Sequence, residues 1–399
     1  MSSTVSSRAP HLTAVMREGE RVTSLELFFD LVFVIALTQC TALIARTPTW
    51  EGAIKGLLVL GVLWWSWVGY SWLTSVVDPE EGSVRLVMFA AMAALLVADL
   101  CVPRAFGSEG LLFACAYGVV RAAQIGLFML ASRGDPALRR SVLGLAVSSA
   151  VGVGLLIIAA FTNGDLQMWI WALALALDGV GPFLFGAEGW RLAPRHFAER
   201  HGLIIIIALG ESVLAVGAGA SAHLDAGVVT AAVLGMVVAA ALWWAYFDVV
   251  ALVAERRLTK AREGLERNEM ARDSYSYLHF PMLAGIMLVA VGLKRTLADV
   301  SGPLGVVPAA ALLGGAAIYL LAHVAFRYRN VHSLNKQRLL AAVLLLALVP
   351  VETAVQPPSL VALGALAAVL SALIAYEALR FADARDRVRH AVLSEPVPD

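Results

Sequence analysis

Twelve predominantly apolar windows, separated by short polar breaks, run along the chain near 25–45, 54–73, 84–103, 110–132, 141–161, 167–187, 200–221, 227–253, 277–297, 304–326, 338–355 and 359–380. A hydrocarbon core about 30 Å thick needs roughly 20 apolar residues per helix, so each window predicts one membrane-spanning α-helix. The fifth and eleventh are the weakest, and Pro350 and Glu352 interrupt the latter. The expected fold class is an all-α polytopic membrane protein. Its predicted parts are a leader (1–24), a first six-helix repeat (25–187), a linker (188–199), a second six-helix repeat (200–380) and a tail (381–399). No small-residue cleavage site follows a short apolar core near the start, so the first window is expected to stay as a helix.

Composition agrees: 60% of the 399 residues are hydrophobic and 15% charged, which is wrong for a water-facing surface. Basic and acidic residues number 30 each, so no long-range field of one sign points to nucleic acid. Their distribution is lopsided. Twenty-four Lys and Arg fall on the side of the N-terminus and five on the other (Arg46, Lys55, Arg104, Lys294, Arg295), leaving Arg121 inside a window. Because basic residues near helix ends resist translocation, both termini are expected in the cytoplasm of a cell-membrane protein.

The two halves share short patterns in order. Ile35-Ala36-Leu37 answers Ile207-Ala208-Leu209, Leu63-Trp64-Trp65 answers Leu242-Trp243-Trp244, and Leu95-Leu96-Val97-Ala98 answers Met287-Leu288-Val289-Ala290. An even number of helices per copy makes such repeats parallel, related by an axis along the membrane normal. The 254–276 segment mixes charges at helical spacing, as in Glu263 with Arg267, and reads as a solvated cytoplasmic helix.

Charges inside the windows ask for a reason, since each costs about 2.5–3.5 kcal/mol near the bilayer centre. Arg121 sits halfway along the fourth window and Asp178 halfway along the sixth, while Glu211 lies in the seventh. At that depth Arg121 needs a carboxylate, with Asp178 or Glu211 as candidates. Asp178 precedes Gly179, Gly181 and Pro182, a run expected to loosen the helix where transporters often coordinate solutes. Gly210 and Gly217 share a face suited to close helix approach. Glu26 and Asp30, four apart in the first window, are a site for ions or partners of Arg195 or Arg200. His196, Glu199, Arg200 and His201 crowd the start of the seventh, without the imidazole spacing of a metal site. Asp248, His279, His323 and Glu377 read as membrane-edge residues without a special role. Cys40, Cys101 and Cys115 read as small core hydrophobes, and the deep Trp64 and Trp65 as bundle packing, not a ligand cage. No cofactor or catalytic motif emerges.

The block Glu26-Leu27-Phe28-Phe29-Asp30-Leu31-Val32-Phe33-Val34, with Glu199-Arg200-His201-Gly202-Leu203 and Ala208-Leu209-Gly210-Glu211-Ser212, resembles the bacterial low-temperature-requirement A family over nearly the whole chain. The resemblance implies an integral membrane protein linked by name to growth in the cold, with no molecular activity established across the family. It points to Glu26, Asp30, Glu199, Arg200, His201 and Glu211. Phe29-Asp30, Val32-Phe33 and Ile35-Ala36-Leu37-Thr38 also look like the first-helix signature of lysosomal-type potassium channels. Phe29 there replaces a serine, and Gly202 an aspartate of the second repeat.

The sequence therefore predicts a transporter or ion-coupled permeation pathway. Asp30, Asp178 and Glu211 would bind a proton or cation, and Arg121 would be the internal counter-charge. Expected partners are the lipid bilayer, a small ion or proton and a small solute. The alternatives are a membrane-embedded enzyme acting on a lipid or isoprenoid with His201 or Glu26 as base, and a structural or sensory membrane protein.

Overall fold

The computed structural model describes residues 21–80, 82–184, 189–219, 224–383 and 386. Most of the predicted leader and tail lies outside these residues. Among the described residues there is no strand, and twelve helices are long and apolar enough to cross a membrane. They are α1 (Ser24–Arg46), α2 (Trp50–Thr74), α3 (Gly82–Arg104), α4 (Gly110–Ala131), α5 (Pro136–Ala159), α6 (Gly164–Leu184), α7 (Pro194–Gly217), α8 (Ala226–Lys260), α9 (Leu265–Ala298), α10 (Val306–Val331), α11 (Lys336–Val355) and α12 (Ser359–Arg380). Each predicted window overlaps one of them.

Local chemistry fixes several of the starts. Thr23 and Glu26 form a reciprocal capping box on α1, and Thr49, Asp135, Asp225 and Asn335 cap α2, α5, α8 and α11 through their side chains. The outside of the bundle is apolar, with Leu86, Phe161, Trp169 and Leu340 strongly exposed, whereas Glu26, Asp30, Arg200 and Glu211 are buried. This inversion of the water-soluble pattern is what a lipid surround demands.

The structure departs from the sequence reading in the segment 254–276. Instead of a free solvated helix, α8 breaks after Phe247 and resumes from Val250 to Lys260, and α9 begins at Leu265. Ala254, Leu258, Ala271 and Tyr275 are buried there, because the segment folds back onto the bundle. The Glu263–Arg267 pair forms at 3.3 Å, but Arg267 also donates to the carbonyls of Thr259 and Ala261. Residues Ala271–Tyr277 make a π-helical stretch, whose wider turn leaves carbonyls for side chains. Trp64 Nε1 donates to the Ser276 carbonyl at 2.8 Å, and His279 Nδ1 to that of Ser274 at 3.0 Å.

Helices α9 and α10 are the most enclosed of the twelve, and α6 and α11 the least. Their backbones meet through glycine: a Cβ on Gly285 would stand 2.6 Å from the Gly315 carbonyl oxygen, and one on Gly315 2.8 Å from that of Gly285. The glycines singled out on α7 do not play this part, since an added Cβ at Gly210 or Gly217 meets nothing within 4 Å. Seven-residue spacing puts residues on one face without deciding what that face meets. Gly285→Leu should force α9 and α10 apart, costing about 1–3 kcal/mol or more. The expected readout is a lower unfolding midpoint in detergent, and an unchanged midpoint would contradict the close approach.

Candidate functional site

The charged residues that sequence placed inside the membrane gather into three separate centres. Nearest the side on which α1 begins, Glu26 and Asp30 lie one turn apart and face Arg200 of α7. Arg200 Nη1 donates to Glu26 Oε1 at 3.1 Å and to Thr74 Oγ1 at 3.1 Å, and Nη2 donates to Asp30 Oδ1 at 2.6 Å. Trp67 Nε1 donates to the same Asp30 oxygen at 2.8 Å, and its ring lies 5.4 Å from the guanidinium carbon. His196 Nε2 meets Glu26 Oε1 at 2.7 Å. The planar fork of one arginine thus spans two carboxylates, a geometry lysine does not offer. All of these residues are buried, so the centre ties α1, α2 and α7 together. Arg195, the other partner considered for these acids, lies 4.0 Å from Glu255 instead.

The second centre joins α4, α5 and α6. Arg121 Nη2 donates to Asp178 Oδ1 at 2.8 Å and also to Ser149 Oγ, while Nη1 donates to Gln124 Oε1 at 2.8 Å and to the Trp65 carbonyl at 3.2 Å. Asp178 Oδ1 accepts in addition from Ser149 Oγ at 3.1 Å, and Oδ2 from Tyr117 Oη at 3.0 Å. Of the two carboxylates open to Arg121 on sequence grounds, the structure selects Asp178. The expected break at Asp178 is absent: α6 runs on to Leu184, with Pro182 in its last described turn. Tyr277 Oη donates to the Gly179 carbonyl in that region.

Glu211 forms the third centre, toward the opposite end of the bundle. Its carboxylate accepts from Lys294 Nζ at 2.8 Å and from Thr38 Oγ1 at 2.6 Å. The Lys294 side chain is 21% exposed, so this pair connects a buried acid to the surface.

Two of the singled-out residues stand apart from these centres. Glu199 is exposed and accepts only a long 3.4 Å bond from the Val22 amide among the contacts described. Its exposure removes it from any buried binding group, because it occupies the outward face of the turn that points Arg200 inward. His201 is fully buried, with ring centroids of Phe197, Trp67, His279 and Tyr275 at 4.4, 5.0, 5.1 and 5.2 Å, and its Nδ1–H donates to the Phe197 carbonyl at 2.8 Å. That enclosure leaves no sideways opening to lipid for a base at this position.

Sequence reasoning missed several buried polar residues. His279 and His323, read as membrane-edge residues, lie in the core. His279 Nε2 accepts from Tyr246 Oη at 2.8 Å, and Arg338 donates to His323 Nδ1 at 3.2 Å while forking onto Glu377 with two bonds of 2.9 Å. Asp99, near the end of α3, is fully buried, and neither carboxylate oxygen has a hydrogen-bond partner among the described residues. Cys115 is exposed on the outside of the bundle, unlike the buried Cys40 and Cys101.

The second centre opens into space. A cleft with an internal volume of about 70 Å³ has Arg121, Gln124 and Asp178 at its polar end, aromatic walls from Trp65, Trp72, Phe128 and Trp190, and Ser141, Arg272 and Ser276 farther out. It takes in neither Asp30 nor Glu211, so the acids named by the sequence do not share one cavity. Trp65, expected from its depth to pack in the bundle, lines it together with Trp72. Most of its lining lies in the half of the bundle nearer the N-terminal side, because α2, α4 and α6 end there and α5 and α9 begin there.

These features define a multi-pass α-helical membrane protein with an internal cleft. Residues 21–375 match the family described as bacterial low temperature requirement A protein (LtrA), and the chain belongs to that family. Over 285 residues it is 31% identical to an uncharacterized protein of Rhizobium meliloti (strain 1021), covering 68% of this chain and 69% of the relative. No solved structure matches it.

Proposed function

We propose that the protein is a transporter or ion-coupled permeation pathway for a small solute, placed in the cell membrane with both termini in the cytoplasm. The observation that carries this reading is the aromatic-walled cleft ending on the buried Arg121–Asp178 pair. Its mix of aromatic walls with a few convergent polar groups is what small-molecule sites use. A structural lock between helices needs the ion pair and no space beside it. The Glu211–Lys294 pair, reaching the surface on the other side, is the companion site for a proton or cation.

The orientation rests on the Lys and Arg bias, which makes the cleft open toward the cytoplasm. Two parallel six-helix repeats remain part of the proposal. Ala36 and Leu37 are buried like their counterparts Ala208 and Leu209, although Trp64 is buried where Trp243 is 44% exposed.

Purified protein in liposomes loaded with a pH-sensitive dye tests the function. With imposed proton, sodium and potassium gradients, the wild type is expected to change the internal pH several-fold faster than protein-free liposomes. Glu211→Gln, which keeps the shape and removes the charge, is expected to bring that rate close to the protein-free level. Equal rates for wild type, variant and empty liposomes would remove the proposal.

A further inference from the structure

From the hydrogen-bond inventory of the cleft, we infer that it binds an amphiphilic monoanion, an apolar and preferably planar body bearing one carboxylate or phosphate-type head. The inference rests on reading the cleft as the solute site and adds the chemical class of the occupant.

Several polar groups at this end of the cleft already have partners within the protein. Asp178 accepts from Arg121 and Ser149 through Oδ1 and from Tyr117 through Oδ2, so three of the roughly four acceptor positions of the carboxylate are engaged. The Gln124 oxygen is taken by Arg121. Donors are left over: Gln124 Nε2 and Arg121 Nε are buried and have no partner among the described residues. Both belong to the polar end of the cleft, and Gln124 is fully buried. Buried polar groups are normally paired, and an unspent N–H calls for an acceptor. A ligand that brings an acceptor completes this end, whereas a ligand bearing only donors leaves both N–H groups unpaired.

Charge points the same way. Arg121 is balanced by Asp178, but farther out Asp273 is shared between Arg272 at 2.9 Å and Arg329 at 3.0 Å. Two guanidinium groups over one carboxylate leave an excess of one positive charge beside the cleft, and Arg272 is among its lining residues. The walls set the rest of the ligand. Three indoles and a phenyl ring offer flat apolar surface, so a planar apolar body fits better than a small hydrated ion. An anion bound in this way meets the polar end with its head and the tryptophans with its body.

Gly69 supplies a separate handle on the Gln124 amide. A Cβ there would stand 2.1 Å from Gln124 Nε2, so Gly69→Ala must displace the amide without altering its chemistry. Gln124→Leu removes the donor at similar volume.

The test uses full-length protein in phosphatidylcholine nanodiscs, with 2-naphthoate as the probe in calorimetry. The cationic isostere 2-naphthylmethylammonium and the neutral 2-naphthylmethanol are the controls. The expected result is naphthoate binding at least about tenfold tighter than either control, the scale of one charge-assisted hydrogen bond. In Gln124→Leu and Gly69→Ala, each checked for an unchanged unfolding midpoint, that preference is expected to fall about tenfold. Equal binding of the three probes, no binding of naphthoate, or a preference untouched in both variants overturns the inference.

A second arm separates the sources of such an anion. Nanodiscs containing phosphatidylglycerol should weaken naphthoate binding about tenfold when the native occupant is a lipid, and leave it unchanged when it is a free organic acid. Ion flux in liposomes without naphthoate binding removes the ligand class and leaves transport standing. Naphthoate binding without flux removes transport and leaves the site.

Discussion

Arg200→Met is expected to destabilise the protein by about 3–5 kcal/mol, because it strands two buried carboxylates. Glu26 would keep His196 and Asp30 would keep the Trp67 N–H, but neither of these matches a guanidinium that spans both acids. One turn apart on the same helix face, the two acids would also repel each other without screening by water. Arg200→Lys keeps the charge and loses the fork, so it should fall between wild type and methionine. The triple variant Arg200→Met, Glu26→Gln, Asp30→Asn removes all three formal charges and should recover most of the loss. Denaturant unfolding in detergent, followed by tryptophan fluorescence, reads these differences. A single Arg200→Met variant within about 1 kcal/mol of wild type would contradict the assignment of this centre as the tie between α1, α2 and α7.

A comparable loss is expected at the second centre, with a different outcome for function. Arg121→Met leaves Asp178 with Ser149 and Tyr117 hydroxyls only, and Asp178→Leu leaves Arg121 with Gln124, Ser149 and a carbonyl. Each single change should cost about 3–5 kcal/mol, whereas the double variant Arg121→Met, Asp178→Leu should return close to wild-type stability, since an apolar pair of similar volume replaces a buried ion pair without penalty. Stability and function then separate. A folded double variant is expected to show no flux in liposomes, because the polar end of the cleft has gone. Normal flux in that variant would mean that the pair only locks helices.

How far the sequence foretold this architecture depends on the physical rule behind each reading. The twelve spans follow from bilayer thickness alone, and the structure has one helix for each. Arg121 is so costly without a carboxylate that its pairing with Asp178 was among two choices. Burial of Trp64 likewise follows from its depth, whereas Trp65, read the same way, is half-buried and lines the cleft. Lys294 and Arg338 were less legible, since basic residues near helix ends are counted first as topology signals. Their long stems let them turn inward to Glu211 and Glu377 instead. Gln124 carried a signal that went unused: it stands three residues after Arg121, on the same helix face. The cleft itself had no signature, because its lining comes from six stretches of chain that only packing brings together. The wide turn at Ala271–Tyr277, which places Arg272 and Ser276 beside it, follows no composition rule.

Thiol labelling tests the central claim, an aqueous cleft reaching the Arg121–Asp178 pair from the cytoplasmic side. Leu145 lines the cleft about 14 Å along α5 from its start at Pro136, deep enough to be sealed in a lock without an opening. In a Cys115→Ala background, Leu145→Cys is exposed to a membrane-impermeant anionic methanethiosulfonate reagent, whose charge suits the positive excess beside the cleft. The prediction is rapid labelling in inside-out vesicles and none in right-side-out vesicles. Labelling from neither side, or only from the outside, would contradict the account.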